Sequence, residues 1–478
     1  MTIKIYNTLT NRKEEFKPQK EKFVSMYVCG ITPYDEMHLG HARSYVVFDV
    51  IKRHLLKRGY VIKHVQNFTD IDDKIIKTSY EKNMFPSELT DIYINDYFIQ
   101  IEKLNILRAD KYPRVTDNID KIICFINELI KNGFAYESNG SVYFSVEKFK
   151  DYGKLSKRSI VDLKSTINRV NNVDFGKRAI LDFVLWKKMK NNEPNEAIWE
   201  SPWSSGRPGW HIECSAMSFE LLGETIDIHG GGQDLIFPHH ENEIAQSEAR
   251  NNKQFVKYWI HNGFVTINRE KMSKSLNNFF SLNSVFKKYS PRVVRYYLLS
   301  QNYLNPLNFS ENGIENAKNT IDGIDEFYTK LVSSIANMTA KKIWQIEKNI
   351  IDKDLIVLQK NFLSALDDNF NLQIALSYLH ELKNITLRDF FCVNTDRLYQ
   401  LKVLFEDFAE VSLGITLPKV QYSDAAESEL LHNLLNKRNE ARKNKNWTES
   451  DKLRRLIYNK GYRIIDNKNG NSILVKKT

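Results

Sequence analysis

Apolar and polar positions first fall into a clear order at residues 23–65. Phe23 to Val28 is a short apolar-rich run, which predicts a buried strand with a tight exit at Cys29-Gly30. Ala42, Val46, Val50, Ile51 and Leu55 recur at roughly helical spacing, which predicts a helix opening at His38-Leu39-Gly40-His41. Tyr60 to Val65 reads as the second strand. A parallel strand–helix–strand unit places the helix start at the carboxyl edge of the sheet, where open α/β sheets bind ligands. A helix N-terminus there favours an anion such as phosphate. Gly40 lets a bulky ligand approach the backbone, and His38 and His41 can donate to phosphate oxygens.

The rest of the pattern extends this unit in both directions. Residues 1–22 read as a lead-in strand and a polar loop. Asp70 is the expected N-cap of the next helix, and Thr69 lies at the same sheet edge as Cys29. Residues 80–133 read as helical with a break at Lys111-Tyr112-Pro113, and Asn139-Gly140 signals a hairpin within Phe134–Val146. Residues 150–200 are polar and irregular. Asp227-Ile228-His229 reads as a buried strand end, Gly230 to Gly232 as a close-approach turn, and Pro238 as the first turn of a helix. The fold class expected is α/β. A Rossmann-like parallel-sheet domain spans 1–300, with an insertion at about 115–200. An all-α helical bundle at 301–420 and a small basic domain at 421–478 follow.

Composition narrows the class. The chain has 478 residues, enough for about three domains. No apolar run reaches the roughly 18 residues of a membrane span, and the charged N-terminus lacks a signal-peptide core. Cys29, Cys124, Cys214 and Cys392 are scattered, which argues against a disulfide framework and for a reducing cytoplasm. Residues 431–478 hold 13 Lys and Arg against 4 Asp and Glu, so +9 of the net +10 sits in the tail. Such a tail points to an anionic partner, nucleic acid above all. Trp447, Tyr458 and Tyr462 lie among these cations, as stacking on unpaired RNA bases requires. For Tyr458 the favoured reading is instead a place in the segment's small core.

Two further constellations carry chemistry. Lys271 and Lys274, in Lys271-Met272-Ser273-Lys274-Ser275, offer two ammonium groups three residues apart. They suit the charge that builds on a pyrophosphate leaving group. Further along the constellation that follows residue 201, His239 and Glu243 are four apart and share a helix face. With Cys29 and Cys214 such a pair would complete a four-ligand zinc site. His240 and Glu241 remain alternative ligands, and buried structural cysteine is the competing reading.

HLGH early and KMSKS late resemble the paired signatures of class I aminoacyl-tRNA synthetases. YVCGITPYDEMHLGH, NFTDIDDKI, PGWHIECSAM, HGGGQDLIFPHHENEIAQSEA and REKMSKSLNNFF resemble cysteinyl-tRNA synthetases more specifically. The resemblance covers essentially the whole chain, including the RNEARKNKNW tail. It implies activation of L-cysteine by ATP with magnesium to cysteinyl adenylate, then transfer to the terminal adenosine of tRNA-Cys. It implies one zinc per chain on Cys29, Cys214, His239 and Glu243, so His239 is chosen over His240. Gly30, Thr69 and Trp210 would border the cysteine. His38, Gly40 and His41 would hold ATP phosphates, with Lys271 and Lys274 on the leaving group. Gly230, Gly231 and Asp234 would border the adenosine. A cytoplasmic monomer is expected.

The chain departs from the family pattern at the Leu of HLGH, at Asn277 and at Ser204, none of which removes a functional side chain. Two other readings compete. One is a relative that ligates cysteine to an amino sugar, which would not need the long C-terminal region. The other is an RNA-binding paralogue without chemistry, against which the intact motifs argue.

Overall fold

The computed structural model describes residues 2–167, 176–191, 193–267, 270–271, 280–336, 353–389, 395–419, 425–466 and 472–476. Lys274, Asn277 and Cys392 lie outside the described residues, and of Lys271 only the backbone is described. The chain forms two compact units. One is Met1–Ile314 with Ser364–Ile374; the other is Glu315–Leu363 with Ala375–Thr478.

The first unit opens with a hairpin of β1 (Lys4–Asn7) and β2 (Arg12–Glu15), where a single lead-in strand was expected. Next come β3 (Phe23–Ile31), α1 (Leu39–Lys57) and β4 (Val61–Phe68), with β3 and β4 parallel. Strand β3 runs past the expected exit, and its register slips between Val28 and Ile31. The slip accommodates Gly30, whose N–H donates to Asn67 Oδ1 at 3.0 Å. Helix α2 (Asp73–Lys82) is capped by Asp72 and not by Asp70. Asp70 is already engaged, accepting from Thr116 N at 3.1 Å and Thr116 Oγ1 at 2.6 Å. Helix α3 (Pro86–Lys103) follows.

Helix α4 (Ile119–Lys131) leads to the expected hairpin, β5 (Ala135–Ser138) and β6 (Ser141–Phe144). Asn139 and Gly140 both take positive φ at its turn. The stretch read as irregular contains α5 (Ile160–Ile167) and a strand, β7 (Phe183–Lys188). Strand β7 pairs antiparallel with β6 and with β8 (Gly206–Pro208). Leu185 and Trp186 are fully buried there. Flanking asparagines and lysines hid this short apolar run.

Helix α6 (Trp210–Leu222) precedes β9 (Ile226–Gly232). The three glycines continue this strand and do not form the expected turn. A Cβ on Gly230 would lie 2.0 Å from the Ile260 carbonyl oxygen, so the strands pack too closely for a side chain. A wide turn, Ile236–His240, contains Pro238, which therefore precedes α7 (Glu241–Asn251) instead of opening it. Strand β10 (Val256–Asn262) completes a parallel sheet of order β10-β9-β3-β4. Its crossovers wind in opposite directions from β3 and β9, which makes the gap between those strands the topological switch point. A three-stranded sheet joins β11 (Val265–Ile267), β12 (Glu270–Lys271) and, after α8 (Leu282–Phe286) and α9 (Pro291–Leu299), β13 (Leu307–Phe309). Strand β13 interrupts what was expected to be wholly helical from residue 301.

Helices α10 (Glu311–Ala336), α11 (Lys353–Asp367), α12 (Leu372–Asp389) and α13 (Thr395–Glu406) follow. The basic tail forms α14 (Ala425–Lys443), α15 (Trp447–Asn459), β14 (Tyr462–Asp466) and β15 (Ser472–Lys476), the two strands antiparallel. Leu431, Leu435, Ile457, Tyr462 and Ile464 make its small core. Tyr462 is the buried tyrosine, whereas Tyr458 is 57% exposed and Trp447 59% exposed. This reverses the expectation for Tyr458. Ile457 points inward, and the next residue on a helix is turned well away from that face. No helix among the described residues is long and apolar enough to cross a membrane.

Candidate active site and metal centre

Helix α1 begins at the carboxyl end of β3, with His38 as its N-cap. The two histidines cap each other. His41 N–H donates to His38 Nδ1 at 3.3 Å, and His38 N–H donates to His41 Nδ1 at 3.5 Å. Each Nδ1 is therefore an acceptor, so in the neutral ring the proton sits on Nε2. Burial lowers the His38 pKa to about 4. Burial, then the neighbouring His38 and Lys74, holds His41 well below its usual value. The two rings, stacked with centroids 3.6 Å apart, are neutral hydrogen-bond donors at physiological pH.

A cavity of about 590 Å³ opens at this point. Cys29, Gly30, His38, Gly40, His41 and Trp210 line it together with Gly231, Gly232, Asp234 and Gly263. Gly230 lies behind the wall, against Ile260 and Phe48. Thr69 is buried, and its Oγ1 donates to Glu213 Oε2 at 2.9 Å. Lys271 ends β12, paired with Thr266 of β11.

Cys29, Cys214, His239 and Glu243 converge beside the cavity, all buried, with their donor atoms within 4.8 Å of one another. The sulfurs are 4.0 Å apart, and His239 Nε2 is 3.0 Å from Glu243 Oε1. These separations fit a tetrahedral ion with bonds of about 2.0–2.3 Å. A hydrogen bond from the Cys29 thiol brings the Cys214 pKa down to about 6, while burial keeps Cys29 well above its usual value. Burial opposes charge on His239, but Glu243 and Cys214 raise it to about 10. Burial likewise opposes charge on Glu243, but His229 and His239 hold it at about 2. Glu243 and Cys214 thus hold negative charge that a divalent cation in place of the His239 proton would compensate.

A second set, Cys29, His229, His240 and Glu243, is equally compact. It shares Cys29 and Glu243 with the first, and His240 Nε2 lies 3.2 Å from Cys29 Sγ, but neither of its histidines lines the cavity. His229 Nε2 bonds Glu243 Oε2 at 2.8 Å, and His240 Nδ1 bonds His261 Nε2 at 2.7 Å. Trp210, by contrast, lines the cavity and stacks on His239 with centroids 4.4 Å apart. Glu241 turns away entirely, accepting from Leu155 N and Ser156 N. Sequence reasoning missed Glu213, His229 and His261 as members of this region. Buried histidines at the ends of adjacent strands, IDIHG and WIHNG, were the available signal.

Residues 15–319 match the model of the class I (C) tRNA synthetase catalytic domain. A cysteine–tRNA ligase of Endomicrobium trichonymphae is 65% identical over 478 residues, with 100% of both chains covered. One from Clostridioides difficile (strain 630) is 44% identical, covering 98% of this chain and 99% of that one. The chain belongs to the cysteine–tRNA ligase family. Its activity is that of a class I aminoacyl-tRNA synthetase, which implies ATP with magnesium, cysteine and tRNA as reaction partners. Among solved structures, a Mycobacterium tuberculosis methionyl-tRNA synthetase in complex with methionyl-adenylate aligns with a TM-score of 0.58. It is 14% identical, covering 82% of this chain and 89% of that one, so the likeness is one of fold.

Proposed function

We propose that the chain activates cysteine in the cavity at the β3–β9 switch point, with a zinc ion on Cys29, Cys214, His239 and Glu243 selecting the substrate thiol. The observation that carries this reading is the meeting of two features in one cavity. Cys29, one of the four donors of a cluster rich in sulfur, lines the same cavity as the double-histidine helix start. The first set of donors is preferred to the second because it includes both thiols and His239, on which the cavity-lining Trp210 stacks.

Cysteine differs from serine by sulfur for oxygen, too little for a shape filter. A site that makes a specific bond rejects an analogue lacking it by roughly 10⁴-fold or more. When bound, zinc supplies such a bond, since thiolate is a strong ligand and a neutral alcohol a weak one.

The remaining work falls to the chain's own groups. His38 and His41 present Nε2–H donors to phosphate oxygens beside the positive end of α1. Gly40, Gly231 and Gly232 leave room for the nucleotide, with Asp234 at the adenosine side. Gly30, Thr69 and Trp210 border the cysteine, Thr69 acting with Glu213 behind it. Lys271 and Lys274 stabilise charge on departing pyrophosphate. In-line attack by the cysteine carboxylate then needs positioning and charge stabilisation, and no general base. Transfer to the terminal adenosine of tRNA-Cys follows, with the basic segment 421–478 as a separate tRNA-binding domain after the 301–420 bundle. The protein acts as a cytoplasmic monomer in this reading.

Cysteine-dependent ATP–pyrophosphate exchange, with serine as competitor and zinc content measured in parallel, tests the proposal. Exchange supported equally by serine would overturn thiol selection. Charging of a tRNA-Cys transcript separates a synthetase from an amino-sugar ligase.

A further inference from the structure

Arg43 lies on α1 two residues beyond His41 and is fully buried. Its Nη2 donates to the backbone carbonyls of Asn302 at 3.1 Å and Asn305 at 2.5 Å. Its Nε and Nη1 find no hydrogen-bond partner among the described residues. Burial lowers its pKa only to about 10, so the group stays charged at neutral pH. A buried cation hydrogen-bonded through one nitrogen to two carbonyls is a poor stabilising device, because among the described residues no carboxylate pairs with it to offset removal from water.

The loop that Arg43 grips backs the nucleotide cavity. Gly263 N–H donates to Tyr303 O at 2.7 Å, and Leu307 N–H donates to Phe264 O at 2.8 Å. A Cβ on Gly263 would lie 2.4 Å from Asn305 O, so that carbonyl is held between the guanidinium and the cavity-lining glycine. Gln233 Nε2 holds the same loop from another side, donating to Leu304 O at 3.0 Å. Beyond the loop, β13 pairs with β11, and β11 pairs with β12, which ends at Lys271. One side chain thus ties the helix of the two histidines to the sheet that carries the first lysine.

We propose that Arg43 is a positioning residue for the ATP reaction, fixing the 302–305 loop, the Gly263–Val265 wall and the Lys271 strand relative to His38 and His41. The proposal rests on the reading of the HLGH helix start as the ATP site. Both signatures must meet one triphosphate, and small misplacements of reacting groups are costly in rate.

The test is pyrophosphate exchange on the full-length protein, with thermal melting, zinc content and cysteine KM measured alongside. Arg43→Met should lower kcat/KM for ATP about 10- to 100-fold, while melting temperature, zinc content and cysteine KM hold. Arg43→Lys, which keeps one donor for the carbonyls, should recover part of that loss. Gln233→Ala should show a smaller loss of the same ATP-specific kind. Normal ATP kinetics in Arg43→Met, or a lowered melting temperature with ATP kinetics intact, would make Arg43 a fold staple and overturn the proposal. Should Arg43→Met not fold, the other two variants decide: ATP-specific losses in both support it, and their absence overturns it. His41→Ala is the control for the underlying reading. Normal exchange in that variant would remove the ATP site from α1 whatever Arg43 does.

Discussion

His229 Nε2 lies 2.8 Å from Glu243 Oε2, and both side chains are fully buried. The contact fixes the carboxylate by one oxygen. Its other oxygen, Oε1, then faces His239 Nε2 at 3.0 Å and Cys29 Sγ at 3.8 Å. His229 is itself held in the sheet, stacked on Trp259 with centroids 4.6 Å apart. Partners that orient a metal ligand in this way are typically worth 10- to 100-fold in affinity. His229→Ala should therefore weaken zinc binding by about that factor, read by competition with a chromogenic chelator. Unchanged affinity would leave His229 as a packing residue only.

Cys214→Ser tests the ligand set more directly. Serine offers a neutral alcohol where the structure holds the more acidic of two buried thiols. Zinc content should fall to near zero and the cysteine requirement should rise sharply, as read by metal analysis and exchange kinetics. A normal zinc content in this variant would remove Cys214 from the ligand set.

Gly30→Ala probes the junction of β3 and β4. The added Cβ would sit 1.5 Å from Asn67 O and 2.7 Å from Asn67 C, both backbone atoms. The strand ends must separate, which displaces Cys29 next door. Exchange should fall on the order of 100-fold, since shifts of about 1 Å at a reacting site cost that much. A variant with normal kinetics and normal zinc would show that this edge yields freely.

The histidine pair makes a pH prediction. Because the His38 pKa is lowered to about 4, the ring is already neutral above pH 5. Between pH 5.5 and 8 the kcat/KM profile for ATP should have the same shape in wild type and in His38→Asn, whatever the loss in rate. A limb near pH 6.5 present only in the wild type would mean that a charged imidazole takes part. Stability follows the same sign. Below about pH 6.5 the unfolded chain binds protons that the buried rings refuse, so the fold weakens as pH falls towards 4.

Deletion of residues 421–478 should spare exchange while weakening tRNA binding and flattening its salt dependence. Filter binding across a salt series, beside exchange on the same preparation, measures both. The exposed Trp447 and Tyr458 are the aromatic candidates for that contact, and the buried Tyr462 is not. Loss of exchange with the tail would mean that the segment supports the catalytic unit.

Sequence alone determined the strand–helix–strand unit, the helix start at His38 and the Asn139-Gly140 hairpin. Each depends on local periodicity, turn chemistry or capping, which a short window contains. It also supplied the four donors, though their choice over His240 and Glu241 came from resemblance. Tertiary structure decided what depends on partners distant in the chain. Asp70 lost the cap because Thr116 occupies it, and the glycines of β9 stay extended because Ile260 leaves no space for a Cβ. His229, His240 and Arg43 took their places only when β3, β9, β10 and the 302–305 loop came together. A buried polar group is defined by its neighbours, and in this protein such neighbours lie as far as 313 residues apart, as His54 and Asp367 do.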